Sequence, residues 1–260
     1  MRAVISHYGV IGKRINRQID MNKVNVLCMK WGTKYPAKYV NVLYAMVKRN
    51  LTKPFRFICL TDDKKGLHND IDVFDIPSLA LNNGPERGWD KLTSFISPFY
   101  DITGTVLFLD LDVVIVDNID SFFEEEGDFL IIRDWVLDGV IGNSSVYRYE
   151  AGKYLDILEY FKENYSTIIK QYRNEQAYLS YYVQQHYQLS YWPDTWCKSF
   201  KYHCVEKFPK QWFVAPKKAE GAKIIVFHGN PNPPDAIEGV NSKWYRKVLP
   251  TKWLQYYWYE

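Results

Sequence analysis

Short, almost wholly apolar runs alternate with amphipathic stretches through the N-terminal half of the chain. Val24 to Met29, Phe55 to Leu60 and Thr105 to Leu109 carry few polar positions. Runs of that length and uniformity predict strands covered on both faces. Between the first two, Pro36 to Asn50 sets Tyr39, Val42, Leu43, Met46 and Val47 at helical spacing, and Pro36 suits the first helical position. Asp72 to Ile76 predicts a third strand, Asn82 to Gly88 a loop, and Trp89 to Phe99 a helix. The second half is less regular. Phe129 to Arg133, Val140 to Tyr149 and Lys223 to His228 read as strands, and Ala151 to Glu163 and Arg173 to Gln185 as helices. Strands alternating with helices predict an α/β architecture, a mostly parallel sheet with helices on its faces.

The pattern begins only after Met21. Residues 1–22 are mixed and basic, which predicts an N-terminal extension, with 23–260 as a single domain. The first 20 residues lack an apolar core of the secretory type, and no run approaches the ~18 apolar residues that span a bilayer. Cys28 and Cys59 sit inside apolar runs, and Cys197 and Cys204 lack a second close pair, so reduced thiols and a cytoplasmic location are expected.

Charge narrows the partners. The 33 Lys and Arg nearly balance 30 Asp and Glu, which speaks against a nucleic-acid binder. Aromatic content is the outlier at 17%, with 21 Tyr and 9 Trp, and such rings pack cores or stack on sugars and bases. Lys243 to Lys247 and Trp253 to Tyr259 mix basic and aromatic side chains at the C-terminus. Two expectations follow for this run: packing of its rings on the domain, or peripheral contact with a membrane headgroup layer.

The sharpest chemistry is Val106 to Asp112, where an apolar strand delivers Asp110 and Asp112 at its C-terminal end. On a strand, positions i and i+2 face the same side, and open α/β sheets bind ligands at that edge. Two close carboxylates repel unless a cation lies between them, and oxygen ligands suit Mn²⁺ or Mg²⁺ bridging to a diphosphate. His228, following a late apolar strand, is a third candidate ligand.

Strand, Asp-x-Asp and the following Val113 to Ile119 resemble the metal-binding segment of the GT-A fold glycosyltransferases, especially the glycogenin-like and galactosyltransferase-like family 8 group. Further elements occur in that family's order: the loop Lys30 to Tyr35, the segment Trp89 to Leu92, the turn Gly142 to Ser145, the pair Glu175-Gln176, and Phe227 to Pro233. The resemblance implies a GT-A, Rossmann-like domain with a smaller acceptor-side subregion. It implies a nucleotide-sugar hexosyltransferase, with UDP as the nucleotide, a glycan or glycolipid as acceptor, and retention at the anomeric carbon. By the same resemblance the donor meets Trp31, Thr33, Tyr35, Asp62, Lys91, Asp110, Leu111, Asn143 and Gly229. The metal meets Asp110, Asp112 and His228, and Gln176 lies near the anomeric carbon. Glu175, Asp134 and Asp138 are candidates for holding hydroxyls or for base work. Two departures stand out: His228 and Gly229 are adjacent, and Asn232 replaces the family's phosphate-binding lysine, which leaves that task to Lys91 or Lys198. Two alternatives are a haloacid-dehalogenase-type phosphatase using Asp110 and Asp112, and a carbohydrate-binding protein without catalysis.

Overall fold

The computed structural model describes residues 23–79, 81, 88–137, 139–239 and 247–260. The expected extension, most of the 82–88 loop, Asp138 and the basic part of the C-terminal run lie outside the described residues.

Ten strands and five α-helices follow in order: β1 (Val24–Lys30), α1 (Ala37–Asn50), β2 (Phe55–Thr61), β3 (Asp72–Phe74), β4 (Thr105–Leu109), β5 (Val113–Ile115), β6 (Phe129–Arg133), β7 (Gly142–Glu150), α2 (Leu155–Glu163), α3 (Tyr165–Gln171), α4 (Glu175–His186), β8 (Leu189–Tyr191), β9 (Cys197–Ser199), β10 (Ile224–Val226) and α5 (Pro233–Glu238). Seven strands form one sheet in the order β3-β2-β1-β4-β7-β6-β8. The pairs β3/β2, β2/β1, β1/β4 and β6/β8 are parallel, and β7 runs antiparallel to both β4 and β6. A second sheet, β5-β10-β9, joins β5 antiparallel and β9 parallel to β10.

The apolar runs are explained by two-sided burial. Val26 and Cys28 of β1 face a core shared with α1, β5 and β10, whereas Leu27 and Met29 face one shared with β7, α2 and α4. Strands enclosed on both faces have no polar side, so their sequences do not alternate. Aromatic rings fill both cores, with more of the buried ones in the second. Phe108 stacks on Tyr147 with centroids 4.7 Å apart, and the buried hydroxyls of Tyr149 and Tyr178 donate to the carbonyls of Ser94 and Ile157 at 2.9 and 2.7 Å. Tyrosine thus supplies apolar area while its one polar atom finds a backbone acceptor. All four cysteines are buried thiols, Cys28 beside Cys59 in register. Burial pushes the Cys28 thiol well up and that of Cys204 to about 11.

Several elements are shorter than the pattern predicts. Trp89 to Phe99 forms only a 3₁₀ turn, Trp89–Phe95, and Ile96 is extended. Pro98 disfavours helix in the residue before it and has no N–H to continue the ladder. The helix expected from Ala151 starts at Leu155, because Gly152 takes φ +80°. Pro36 is the N-cap of α1 rather than its first helical residue. The strands β5, β8 and β9 and the helices α3 and α5 are additional elements.

At the C-terminus, Trp258 is buried and meets Tyr39 edge-on at 5.1 Å. The Arg49 guanidinium lies 3.8 Å over the Tyr259 ring and donates to the carbonyls of Tyr257 and Tyr259. Trp253 Nε1–H donates to Pro216 O at 3.0 Å. Trp253 and Trp258 pack on the domain, the first of the two expectations, while Tyr256 and Tyr259 stay exposed. Among the described residues no helix is long and apolar enough to cross a membrane.

Candidate active site

The ends of β1, β2, β4, β6 and β8 and the start of β7 share one edge of the large sheet, and the sequence-predicted residues gather along it. The Asp110 N–H donates to Ser145 O at 2.9 Å, and Val113 N–H donates to Asp110 O at 3.4 Å. The strand ends at Leu109 as expected, but Asp110-Leu111-Asp112 is a tight turn from β4 into β5, so strand spacing does not set the two carboxylates. Leu111 is buried in the α1-side core and pins the turn from below. The two carboxylates face different partners. Asp110 accepts from Lys91 Nζ at 2.7 Å, and Asp112 accepts from Tyr35 Oη–H at 2.8 Å. They still share one electrostatic field. Burial, then the Asp110 charge, push the Asp112 carboxyl up to about 6 against the Tyr35 hydrogen bond and the charges of Lys34 and Lys91. Burial, then the Asp112 carboxylate, push the Tyr35 phenol far up.

Lys91 is buried on the 3₁₀ turn, with its ammonium also 3.7 Å from Glu175 Oε1. Glu175 is the first residue of α4, where a carboxylate meets the positive end of the helix dipole. Its Oε1 accepts from Ser144 Oγ–H at 2.7 Å. Burial works against the Lys91 charge, but Asp110 and Glu175 outweigh it and hold its pKa above the ordinary value. Asn143, also buried, accepts the Ser145 N–H at 3.0 Å and shapes the start of β7. Gln176 follows Glu175 on α4 and is half-buried.

On the other side of Asp112, the loop after β1 carries Trp31 and Thr33 exposed to solvent. Gly32 N–H donates to Asp62 Oδ2 at 2.9 Å, so Asp62 ties the loops after β1 and β2 together. Tyr35 is committed to Asp112 and packs against Tyr39 at 4.8 Å.

His228 leaves β10 and pairs through Nε2 with Ser199 Oγ at 2.7 Å, while Trp135 stacks on its ring at 5.7 Å. Burial and the Lys201 charge hold its pKa below the ordinary value, against the pull of Asp134. Asp134 follows β6 and its Oδ1 accepts the Val136 and Leu137 amides at 2.8 Å each. Gly229 is exposed at φ +77°. Beside this group opens a cleft of about 220 Å³ between the ends of β6, β8 and β9, lined among others by Asp134, Trp135, Trp192, Lys198 and His203.

A divalent cation fits part of this arrangement. Asp110 and Asp112 offer hard oxygen ligands whose mutual repulsion a cation would relieve. Among the described residues, however, no three His, Cys, Asp or Glu side chains converge as a metal site, and His228 faces Ser199. Of the two lysines expected to meet a diphosphate, Lys91 is engaged by carboxylates and Lys198 lines the cleft. The Tyr35–Asp112 and Lys91–Glu175 contacts were not anticipated; the nearness of each residue to a recognised motif was their only signal.

No protein-family model matches the chain, and no curated protein matches it. Solved structures do. The structure of galactosyltransferase LgtC in complex with donor and acceptor sugar analogues superposes with a TM-score of 0.55 at 13% identity, covering 81% of this chain and 89% of that one. An active-site Gln-to-Glu mutant of LgtC matches equally. Glycosyltransferase GlyE of Streptococcus pneumoniae TIGR4 gives 0.58 at 14% identity, covering 90% of this chain and 60% of that one. With its seven-stranded mixed sheet, the antiparallel β7 and the Asp-x-Asp turn after β4, the chain has the GT-A-type fold of these glycosyltransferases.

Proposed function

We propose that this protein is a divalent-metal-dependent glycosyltransferase that moves a hexose from a nucleotide-diphosphate sugar, UDP in our reading, to a glycan or glycolipid acceptor. The observation that carries the reading is the Asp110–Asp112 turn, which presents two carboxylates that feel each other's charge at the strand-end edge of the sheet, where open α/β sheets bind ligands. The GT-A-type fold shared with LgtC and GlyE supports it.

Mn²⁺ or Mg²⁺ held on Asp110 and Asp112 would supply Lewis-acid neutralisation of the leaving diphosphate. His228 would complete such a site by exchanging its Ser199 partner. Trp31 and Thr33, exposed on the loop that Asp62 anchors, offer a ring and a hydroxyl to the base. Lys34 lies on that loop, and its charge already reaches Asp112. Lys91 pairs with Asp110 and lies close to Glu175, so its role is to position them. Gln176, exposed enough to meet a ligand at the start of α4, would place its amide oxygen where positive charge develops on the sugar. Asp134 would hold an acceptor or donor hydroxyl.

A thermal-shift panel of UDP, GDP and CMP with their sugars, each with and without Mn²⁺, tests the reading. A ligand that binds only the native state raises Tm. A shift for one nucleotide diphosphate that requires the metal is expected. No shift with any nucleotide would leave a sugar-binding protein without catalysis as the better reading.

A further inference from the structure

Beside His228, the cleft holds side chains to which the proposed donor chemistry gives no task, Trp135 and Lys198 among them. The end of β6 lies two strand spacings from β4, and that of β8 three, so the cleft opens about 10–14 Å along the sheet edge from Asp110. That is the side away from the β1 and β2 loops. One wall is the Trp135 indole, fixed by donation from Nε1–H to Cys197 O at 3.2 Å and by stacking on His228. An aromatic wall of this kind packs on the C–H face of a pyranose.

The lining also carries positive charge. Lys198 lines the cleft, half-buried, and makes no ion pair among the described residues. The acids nearby are otherwise engaged: Asp134 accepts two backbone amides, and the exposed Asp194 lies 4.0 Å from Arg133. The chain segment that follows is itself basic: Lys198 to Lys218 holds six lysines and one acid, Glu206. His203 registers the Lys198 charge: partial burial and then that charge hold its imidazole below the ordinary pKa. A half-buried ammonium without a counter-ion is a receptor for an anion.

Resting on the glycosyl-transfer reading, we infer that this cleft is the acceptor subsite and selects a sugar that carries a carboxylate or phosphate, which Lys198 recognises while Trp135 holds the ring. The charge of Lys198 therefore serves the acceptor and not the donor diphosphate.

The test is an NMR titration of the full chain with D-glucuronate, D-glucose 6-phosphate and D-glucose, following the Trp135 indole and His203 imidazole signals. Both anionic sugars are expected to shift these signals, and D-glucose to bind about tenfold more weakly. Lys198→Gln should remove that difference, and Lys198→Arg should keep it. The tighter of the two anions tells carboxylate from phosphate. Equal binding of all three sugars, or none, overturns the inference. So does a Lys198→Gln variant that weakens binding of UDP with Mn²⁺. Selective binding of anionic sugars by a chain that takes no nucleotide would sink the glycosyl-transfer reading and leave the anionic-sugar site standing. Metal-dependent nucleotide binding without sugar selectivity would sink the inference alone.

Discussion

The Tyr35 hydroxyl donates to Asp112 Oδ2 at 2.8 Å, joining the loop after β1 to the turn after β4. Tyr35 is a neutral partner in a field where burial and Asp110 raise the Asp112 carboxyl and Lys34 and Lys91 lower it.

Asp112→Asn should keep this bond, because the amide oxygen still accepts from Tyr35. It also removes a buried like charge from beside Asp110. Donor turnover and the metal-dependent nucleotide shift are expected to vanish, with Tm within a few degrees of wild type. A collapse of Tm would instead make Asp112 a structural residue.

Lys91 sits between two carboxylates, one of them fully enclosed. Lys91→Met leaves Glu175 buried without its counter-ion and should cost about 3 kcal/mol in urea unfolding, the low end for a broken buried pair since Asp110 keeps some solvent. Adding Glu175→Gln should recover part of the loss, because the Ser144 hydroxyl can still donate to the amide oxygen. Equal stability of the two variants would show that the pair contributes little.

Gly142 opens β7, and its N–H donates to Ser180 Oγ at 2.8 Å. A Cβ there would lie 2.7 Å from Ile131 Cγ2 and 2.9 Å from the Ile132 carbonyl oxygen. The backbone cannot give way cheaply, so Gly142→Ala should lower stability by roughly 1–3 kcal/mol. It should also disturb Asn143 and Ser144 next in sequence, read as a weaker nucleotide shift. A neutral Tm would show that the strand entry tolerates displacement.

His203 is held below its ordinary pKa by partial burial and by Lys198, and its Nδ1 lies 3.1 Å from the Ser199 N–H, which it accepts only when that nitrogen is unprotonated. A histidine with a depressed folded-state pKa contributes stability that is present above the unfolded value of about 6.5 and lost as pH falls through the folded one. Imidazole NMR should show His203 titrating below 6.5, and Lys198→Ala should move the midpoint up. His203→Gln should flatten the fall of Tm between pH 7 and 5. An unchanged midpoint in the Lys198 variant would mean that burial alone sets it.

Hydrophobic runs and one acidic motif were enough to place β1, β2 and β4 and to put a candidate site at their ends. The reason is that a strand enclosed on both faces must be apolar almost throughout, so the first charges after it mark where it emerges. Local backbone chemistry is harder to read, because Gly152 and Pro98 end or delay helices that periodicity alone extends. What the sequence could not determine is which side chains meet across the fold. Asp112 finds Tyr35, 77 positions away, only because β1 and β4 are neighbours in the sheet. Glu175 finds Lys91 only because α4 packs beside the start of β7 and the 3₁₀ turn. The order of strands is a long-range outcome of packing two cores at once, and that order, not the motif, decides that Lys91 neutralises acids while Lys198 is left to face a cleft.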